Sequence, residues 1–391
     1  MRILAVHNRY KERGGEDTVF EAEVELLRSA GHSVETLIAT NDDIVGAIGR
    51  VRAAFGSVYN IRGRRRVANA ISEAKPDIVH VHNFFPLLSP AIFDACQDAA
   101  VPAVLTLHNY RLACANALLL RNELPCEKCL VNGPLWSVAH ACYRNSRAGS
   151  LAVSGMIAYH RFLGTWKHKV SRFIALTEFA RSRFIAAGLP ADKLAIKPNF
   201  IRQAPLPLTS ARGRSAVFVG RLSREKGAHI LLEAWRELDI PLTIVGEGPE
   251  GSALRAMNLP HVQFTGRVSH EKAMEIVSRT GVLIVPSIWY ENLPMTLVEA
   301  KSLGVPAIVS RIGALPEIVA DGVDGVLFNP GDSSDLARTV RKVFENQVSL
   351  VAMGRAARAT YEERFTEPQC LRMLLGIYGD AISSYEAEQT R

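Results

Sequence analysis

Short apolar runs alternate with helix-like segments along the 391 residues of the chain, and the alternation occurs once in each half. Apolar strands separated by helices are typical of parallel sheets that helices cover on both faces. The sequence therefore predicts an α/β fold with two doubly wound domains. The predicted strands lie near residues 2–6, 33–38, 77–81, 103–107, 171–176, 194–197, 215–220, 241–245, 262–265, 281–285, 306–309 and 325–328. The predicted helices lie near residues 16–30, 64–74, 89–98, 147–163, 178–187, 226–238, 249–257, 270–279, 294–303 and 333–345.

The boundary between the predicted domains falls in the stretch from Pro198 to Arg214, which contains two further prolines and several small or polar residues. Such a composition is typical of a linker. We therefore expect a first domain over 1–200, a second over 201–365, and a C-terminal helix over 366–391 that packs back on the first domain. Ligands of doubly wound sheets bind beyond the carboxyl ends of the strands, which predicts a site in a cleft between the two domains.

Composition places the chain among globular proteins, with 48% hydrophobic and 22% charged residues. No apolar run approaches the roughly 20 residues that a membrane-spanning helix needs. The apolar stretch at the N-terminus is too short for a signal peptide and is interpreted as the first strand. We expect a cytoplasmic protein.

The net charge of +7 is uneven, because the first 200 residues have a formal charge of +8 and the remainder has a charge of −1. Part of the excess is the cluster Arg62-Gly63-Arg64-Arg65-Arg66. Such a cluster is either a solvated helix face or a surface that contacts an anionic membrane or an anionic acceptor. No aromatic residues are interleaved with the arginines, so a nucleic-acid partner is not expected.

The segment 286–300 holds two carboxylates, Glu291 and Glu299, on either side of a predicted helix start. Pro294 suits the first helical turn, where a missing N–H costs nothing. The amides of Met295-Thr296 would then be unpaired at the positive end of the helix dipole, where anions bind. A phosphate there would leave both carboxylates able to bind the hydroxyls of a sugar and a ribose. The segment therefore indicates recognition of a nucleotide sugar.

Two glycine turns follow predicted strands of the second half. Gly220 ends one strand, and the loop after it carries Arg221 and Lys226. Two cations at the carboxyl end of a strand suit a diphosphate, although ordinary surface charges give the same pattern. The second turn, Gly246-Glu247-Gly248, is a weak signal by itself.

Two features of the first half lie at the same edge of a predicted sheet. Gly14-Gly15 follows the first strand and precedes a helix, so its backbone could approach a phosphate, unless it is a simple turn. The pattern differs from G-x-G-x-x-G, so a nicotinamide or flavin site is not indicated. His108 ends another apolar strand, where a histidine could bind a sugar hydroxyl or a phosphate, unless it is a buried structural residue.

Together these motifs resemble the family 4 retaining glycosyltransferases of GT-B fold, which have two Rossmann-like domains. The resemblance covers nearly the whole chain and is most specific over 215–330. It implies that Arg221 and Lys226 neutralise the diphosphate of the sugar donor. It also implies that Glu299 binds the ribose and that Glu291 lies against the transferred sugar.

For the first domain, the resemblance implies acceptor binding, with His108 against the transferred sugar and the Gly15 amide against the phosphate. Many family members have glycine where Pro294 stands, so fewer backbone amides reach the ligand here. The residues expected to be catalytic are His108, Arg221, Lys226 and Glu291. The residues expected to bind the donor are Gly14, Gly15, Gly220, Gly246, Glu247, Leu293, Met295, Thr296 and Glu299.

The implied mechanism retains the configuration of the anomeric carbon and uses cations and amides in place of a divalent metal. No D-x-D-like motif stands at a strand end, so no catalytic cofactor is expected. The expected activity moves a sugar from a nucleotide-diphosphate sugar to a glycan or lipid-linked glycan acceptor in surface polysaccharide biosynthesis. The alternatives are a non-catalytic protein that binds nucleotide sugars or phospho-ligands and a nucleotide-sugar epimerase of the same two-domain fold.

Four of the six cysteines, Cys114, Cys126, Cys129 and Cys142, lie in a predicted insert at 110–145. The middle pair has C-x-x-C spacing, which in a cytosolic enzyme favours a metal over disulfides. Four thiolates would make a closed structural zinc site. Disulfides, redox-active thiols and plain buried cysteines are the alternatives.

Overall fold

The computed structural model describes residues 1–11, 14–43, 46–202 and 213–390, and these form two compact units. The first unit contains residues 1–119, 126–198 and 370–391. The second contains residues 120–125 and 199–369. Most of the predicted linker, residues 203–212, lies outside the described residues.

The first unit contains a six-stranded parallel sheet with the strand order β2-β1-β3-β4-β7-β8. The elements of residues 1–198 are β1 (Arg2–Arg9), α1 (Gly15–Ser29), β2 (Ser33–Thr40), α2 (Gly46–Val58), α3 (Ile61–Ala74), β3 (Ile78–Val81), α4 (Ile92–Asp98), β4 (Ala103–Thr106), the antiparallel pair β5 (Leu120–Arg121) and β6 (Leu124–Pro125), α5 (Lys128–Asn132), α6 (Trp136–Ala139), α7 (Arg147–Phe162), α8 (Thr165–His168), β7 (Arg172–Ala175), α9 (Glu178–Ala186) and β8 (Leu194–Ile196).

The second unit contains another six-stranded parallel sheet, with the order β11-β10-β9-β12-β13-β14. The remaining elements are β9 (Ala216–Val219), α10 (Ala228–Trp235), β10 (Leu242–Val245), α11 (Gly251–Ala256), β11 (Val262–Gly266), α12 (His270–Arg279), β12 (Val282–Val285), α13 (Met295–Ser302), β13 (Ala307–Ser310), α14 (Leu315–Ile318), β14 (Gly325–Phe328), α15 (Ser333–Glu345), α16 (Gln347–Arg364) and α17 (Glu367–Gln389). The two parallel sheets confirm the predicted α/β fold.

Four inner strands are buried on both faces, as continuous apolar runs require in a parallel sheet. All four residues of β3, β4, β12 and β13 are buried. In the first unit one hydrophobic cluster joins Ile3 and Ala5 of β1 with Leu374 and Tyr378 of α17. The last helix therefore belongs to the core of the first unit, because its apolar face is covered there.

Each sheet has one point at which the chain reverses the direction in which strands are added. In the first sheet this point lies between β1 and β3, and in the second it lies between β9 and β12. Ligands of open α/β sheets bind at the carboxyl ends of the strands at such a point. The fold therefore marks the loops after β1, β3, β9 and β12 as candidate binding loops.

Local structure departs from the predictions at a few positions. Helix α2 lies in a stretch that the pattern did not mark as helical. The helix expected from residue 226 begins at Ala228, because Arg224–Lys226 forms a 3₁₀ turn and Gly227 adopts a φ of +73°.

Among the described residues no helix is long and apolar enough to cross a membrane.

Candidate active site

The loops after β9 and β10 of the second unit pack closely against each other, and glycine permits this contact. A Cβ atom at Gly246 would lie 1.9 Å from the carbonyl oxygen of Gly220, and Gly246 has a φ of +135°. A Cβ atom at Gly248 would lie 2.4 Å from the carbonyl oxygen of Leu222. Glycine at 246 and 248 is therefore explained by close backbone approach. Glu247, between them, is exposed.

Lys226 and Glu291 are two predicted site residues whose side chains the structure brings into direct contact. The ammonium nitrogen Nζ of Lys226 lies 2.7 Å from Oε1 of Glu291, a residue that is only 4% exposed. The hydroxyl of Ser287 donates to the same carboxylate oxygen at 2.7 Å. The Lys226 ammonium also lies 5.3 Å from the centre of the Trp289 ring. These contacts hold a cation and a carboxylate together beyond the carboxyl end of β12.

Helix α13 begins one residue later than the sequence predicted. Pro294 is the residue before the helix, with a ψ of 116°, and Met295 is the first helical residue. The expectation that Pro294 lies in the first helical turn is therefore wrong, because its backbone is extended. The amides of Met295 and Thr296 donate to no backbone carbonyl of the described residues, so they remain available at the positive end of the helix.

Glu299 lies farther along α13 and is mostly buried. Its carboxylate lies 3.7 Å from the His270 imidazole, and 17% of its side chain is exposed. Burial raises the pKa of Glu299 above its usual value, while the nearby His270 acts in the opposite direction. A carboxylate in this position gains from a ligand that donates hydrogen bonds, because hydroxyl donors would restore the solvation that burial removes.

Arg221 and Leu293 complete the predicted donor residues of this unit. Arg221 is exposed and forms no ion pair with any residue that the structure describes. Its guanidinium is therefore available to an anion. Leu293 is 8% exposed and lies beside the start of α13.

The predicted glycines of the first unit lie at the start of α1. Gly14 caps this helix with ordinary extended backbone, and the Asp17 carboxylate accepts a hydrogen bond from its N–H at 2.8 Å. Gly15 is exposed, and a Cβ atom built there meets nothing within 4 Å. Neither glycine is required by backbone strain or packing. The Gly14 amide is occupied by Asp17, whereas the Gly15 amide has no hydrogen-bond partner among the described residues.

His108 lies just beyond the carboxyl end of β4 and contacts a second histidine. Its Nε2 atom lies 3.1 Å from Nδ1 of His82, and the two rings stack with centroids 5.3 Å apart. His82 follows β3 and lies 3.2 Å from the Glu23 carboxylate, whose other oxygen accepts a hydrogen bond from Lys197 at 2.6 Å. Glu23 and Lys197 were not predicted from the sequence. Glu23 is a single charged residue inside a helix and Lys197 is one after a strand, and neither belongs to a recognisable motif.

Glu16 is a further residue near this edge that the sequence did not single out. Its two carboxylate oxygens accept hydrogen bonds from the side-chain amides of Asn83 and Asn109 at 3.4 and 3.3 Å. Burial, and then the charge of Asp17, raise the pKa of Glu16 to about 7. Its proximity to Gly15 in the sequence was the only signal that could have found it.

The first unit also contains a cavity of about 1050 Å³. The residues that line it include Tyr10, Phe85 and Tyr143 together with Lys11 and Arg144. Aromatic faces and polar or charged groups together suit a glycan or a phosphorylated glycan.

The four cysteines of the predicted zinc site are neighbours, but they do not form a metal-binding group. Burial, and then the charges of Cys114, Cys142 and Cys126, raise the pKa of Cys129 to about 12. Only Glu23, His80 and His82 form a group of three or more candidate ligands within 4.8 Å of one another in the part of the chain that the structure describes. All six cysteines are free thiols. The structure therefore does not support the predicted zinc site, and it contains no disulfide.

Comparison with known proteins gives matches over both halves of the chain. Residues 14–199 match the family described as "Glycosyl transferase 4-like domain", and residues 209–360 match "Glycosyl transferases group 1". The D-inositol 3-phosphate glycosyltransferase of Mycolicibacterium smegmatis is 30% identical over 81% of this chain and 70% of its own length. The phosphatidyl-myo-inositol mannosyltransferase of Mycobacterium leprae is 29% identical over 60% of this chain and 66% of its own length.

A solved structure shares the fold across almost the whole chain. The crystal structure of Anabaena HepE in complex with UDP and glucose covers 96% of this chain and 98% of its own, with a TM-score of 0.66 and 19% sequence identity. The chain therefore belongs to the group 1 glycosyl transferases and has the GT-B fold.

Proposed function

We propose that the protein is a retaining, metal-independent glycosyltransferase that moves a sugar from a nucleotide-diphosphate sugar to a glycan or lipid-linked glycan acceptor. One observation carries the proposal. The Lys226–Glu291 pair lies beyond β12, in the segment that leads to the unpaired amides of Met295 and Thr296. Cations and amides suit the leaving diphosphate, and a buried carboxylate beside them suits the hydroxyls of a sugar.

Each donor residue then has a separate role. Arg221, Lys226 and the amides of Met295 and Thr296 bind the diphosphate of the donor. Glu299 accepts hydrogen bonds from the ribose, and Glu291 accepts them from the transferred sugar. The structural likeness to HepE, which was crystallised with UDP and glucose, supports a nucleotide-sugar donor.

We propose that the positive groups of the site accelerate the reaction by stabilising the nucleoside diphosphate as it leaves. The bond between the anomeric carbon and the phosphate oxygen breaks, and the electron pair leaves with the diphosphate. Positive groups lower the energy of this developing charge without a divalent metal. The leaving phosphate oxygen takes the proton of the acceptor hydroxyl, whose oxygen bonds to the anomeric carbon on the face that the phosphate leaves. The configuration of that carbon is then retained.

The acceptor is proposed to bind the large cavity of the first unit. Its aromatic rings can pack against sugar rings, and Lys11 and Arg144 can contact a phosphate that links a glycan to a lipid. The resemblance to a phosphatidyl-myo-inositol mannosyltransferase supports a lipid-linked acceptor. These features favour a role in the synthesis of surface polysaccharides, at the inner face of the cell membrane.

Three exposed apolar side chains support peripheral contact with that membrane. Phe162 is 88% exposed, Phe55 is 78% exposed and Leu151 is 55% exposed. They lie on α2 and α7, which pack against each other. The exposed arginines Arg62 and Arg65 of α3 in the same unit would add attraction to anionic lipids.

The direct test is to measure release of nucleoside diphosphate from a panel of nucleotide sugars, with and without a lipid-linked glycan extract and with and without EDTA. The proposal expects release that the extract stimulates and that EDTA does not change. NMR of the product should show the anomeric configuration of the donor. Inversion, or dependence on a divalent metal, would contradict the mechanism.

Two alternative functions give different outcomes in the same assay. A non-catalytic binding protein would be stabilised against heat by a nucleoside diphosphate but would release none from any sugar. An epimerase would convert the donor sugar to an isomer without any acceptor.

A further inference from the structure

A line of buried polar side chains runs through the first unit and ends at His108. Lys197 donates a hydrogen bond to Oε2 of Glu23 at 2.6 Å, and Oε1 of Glu23 lies 3.2 Å from Nε2 of His82. The opposite nitrogen of His82, Nδ1, lies 3.1 Å from Nε2 of His108. The side chains of Lys197 and Glu23 are each only 1% exposed. The line therefore connects a buried ion pair to a predicted ligand-binding residue.

The same groups are poorly suited to a metal ion, although Glu23, His80 and His82 lie close together. Lys197 already places a positive charge on the Glu23 carboxylate. Both nitrogens of His80 have hydroxyl partners, since Nδ1 lies 2.7 Å from Tyr378 and Nε2 lies 2.7 Å from Thr106. A cation here would be repelled by the ammonium and would have to displace these hydrogen bonds.

The charge of Glu23 indicates which ring nitrogens carry protons. Its Oε1 atom lies 3.2 Å from Nε2 of His82 and 3.2 Å from Nδ1 of His80, without the angle of a hydrogen bond to either. A proton on Nε2 of His82 is favoured, because a bare nitrogen would place its lone pair against an anionic oxygen. Lys197 balances the charge of Glu23, so a second proton on His82 would make an uncompensated buried cation. Burial accordingly lowers the pKa of His82 to about 3. His82 is therefore neutral, and its Nδ1 atom is an acceptor.

The contact between the two histidines then determines the state of His108. Since Nδ1 of His82 accepts, Nε2 of His108 must donate, and the proton of the neutral His108 ring lies on Nε2. Burial also lowers the pKa of His108, which favours the neutral ring. Its Nδ1 atom has no hydrogen-bond partner among the described residues. It is also absent from the unpartnered polar atoms that are fully buried, so solvent or a ligand can reach it. This atom is therefore an open acceptor.

We propose that Lys197, Glu23 and His82 are positioning residues that hold His108 in the Nε2–H tautomer, so that Nδ1 accepts a hydrogen bond from a hydroxyl of the transferred sugar. The inference rests on the proposed function, because it assigns a hydroxyl of the proposed donor as the ligand of His108. It also decides between the two ligands that the sequence left open for His108. A phosphate oxygen accepts hydrogen bonds and has no proton to offer a bare nitrogen, so the partner is a hydroxyl.

The first test reads the tautomer directly and does not depend on activity. Long-range ¹H–¹⁵N correlation spectra of protein labelled with ¹⁵N-histidine distinguish protonated from bare ring nitrogens, and His108→Gln assigns the signals. We expect a bare Nδ1 and a protonated Nε2 for His108 in the wild type. A proton on Nδ1 of His108, or a doubly protonated ring at neutral pH, would overturn the inference.

The second test removes the ion pair as a unit. The double variant Glu23→Gln/Lys197→Met avoids leaving one buried charge without its partner. We expect His108 to populate both tautomers and kcat to fall by roughly tenfold, in keeping with the loss of one oriented hydrogen bond. Retention of the single Nε2–H tautomer in this variant would refute the role of Glu23. If the variant does not fold, the wild-type spectrum still decides the tautomer.

The matched control is Tyr378→Phe, which removes a hydroxyl from the same buried cluster but leaves Lys197, Glu23 and His82 intact. We expect an unchanged His108 tautomer and unchanged kcat, so an effect as large as that of the double variant would indicate a merely structural role. The readouts also separate the inference from the proposed function. If His108 is in the Nε2–H tautomer but the protein transfers no sugar, the proposed function is refuted. If the protein transfers sugar but His108 is not in that tautomer, the tautomer assignment is refuted.

Discussion

The ammonium of Lys226 lies 2.7 Å from the carboxylate of Glu291, which also accepts a hydrogen bond from Ser287. The two residues are far apart in the sequence, and the 3₁₀ turn before Gly227 brings the lysine to the loop after β12. A Cβ atom at Gly227 would lie 1.9 Å from the carbonyl oxygen of Pro286, so glycine is needed for this approach. The pair is the clearest point at which a cation and the carboxylate that we propose binds the sugar can act together.

Removal of the two carboxylates should affect different kinetic constants. Glu291→Ala should lower kcat by roughly a hundredfold or more, because in the proposed site it removes a group beside the reacting sugar. Glu299→Ala should mainly raise the KM for the donor, by roughly tenfold, because it removes the hydrogen bond that we propose to the ribose. Steady-state release of nucleoside diphosphate measures both constants, and wild-type activity in both variants would refute the site.

Gly246→Ala should destabilise the second unit by about 2 kcal/mol or more, because the new methyl group would meet the Gly220 carbonyl and a φ of +135° disfavours alanine. Urea unfolding followed by circular dichroism measures this change. Gly376→Ala, within helix α17 and with no atom near the built Cβ, is the control. It should stabilise the protein by up to about 1 kcal/mol. Equal effects of the two substitutions would contradict the packing argument.

The buried ion pair of Lys301 and Asp324 should be important for stability. Each side chain is 2% exposed, and Thr360 also donates to the Asp324 carboxylate at 2.8 Å. Lys301→Met would leave that carboxylate without its cation, so we expect a loss of about 3–5 kcal/mol in the free energy of unfolding. Arg338→Met, which removes an exposed partner of Asp335, should cost less than about 1 kcal/mol. Urea unfolding of both variants provides the comparison.

Glu16 should make stability depend on pH in the direction opposite to that of most carboxylates. Burial raises its pKa from 4.5 in the unfolded chain to about 7 in the folded protein, so the folded state binds more protons between these values. Stability should therefore fall as pH rises from 4.5 to about 7. The effect is at most about 3 kcal/mol, since each pKa unit is worth about 1.4 kcal/mol.

The variant Glu16→Gln isolates this contribution, because glutamine imitates the protonated carboxyl group and does not titrate. The difference between the free energies of unfolding of the variant and the wild type should grow with pH across the same range. A difference that stays constant would show that Glu16 titrates normally.

Membrane contact should depend on the exposed ring of Phe162. Phe162→Ser should reduce co-sedimentation with vesicles that contain phosphatidylglycerol, because the variant loses an apolar group that can enter the interface. Val348→Ser is the matched control, since Val348 is 82% exposed on α16 of the second unit. The double variant Arg62→Ser/Arg65→Ser should weaken binding mainly at low salt. No binding of the wild type to such vesicles would refute the membrane proposal.

The sequence by itself determined the two parallel sheets and most strand positions. Apolar runs long enough for a strand and separated by helical segments leave few other folds, and glycine or proline at the strand ends marks the binding loops. Arg221, Lys226 and Glu291 were predicted for this reason, because they lie in the loops after such ends, and Glu299 was predicted from its place in the helix that follows. The start of α13 was placed one residue too early, since proline is acceptable both in the first turn and just before it.

Only the tertiary structure decided which side chains meet across the sheet. Glu23 lies on α1, whereas His82, His108 and Lys197 follow β3, β4 and β8. Their contacts depend on strand order, which no local pattern specifies. The same reason applies to the four cysteines. Their spacing predicted a zinc site, but in the described residues their sulfur atoms are not grouped closely enough to bind one metal ion. Sequence periodicity reports how each segment is buried, whereas a site depends on distances between segments that are far apart in the chain.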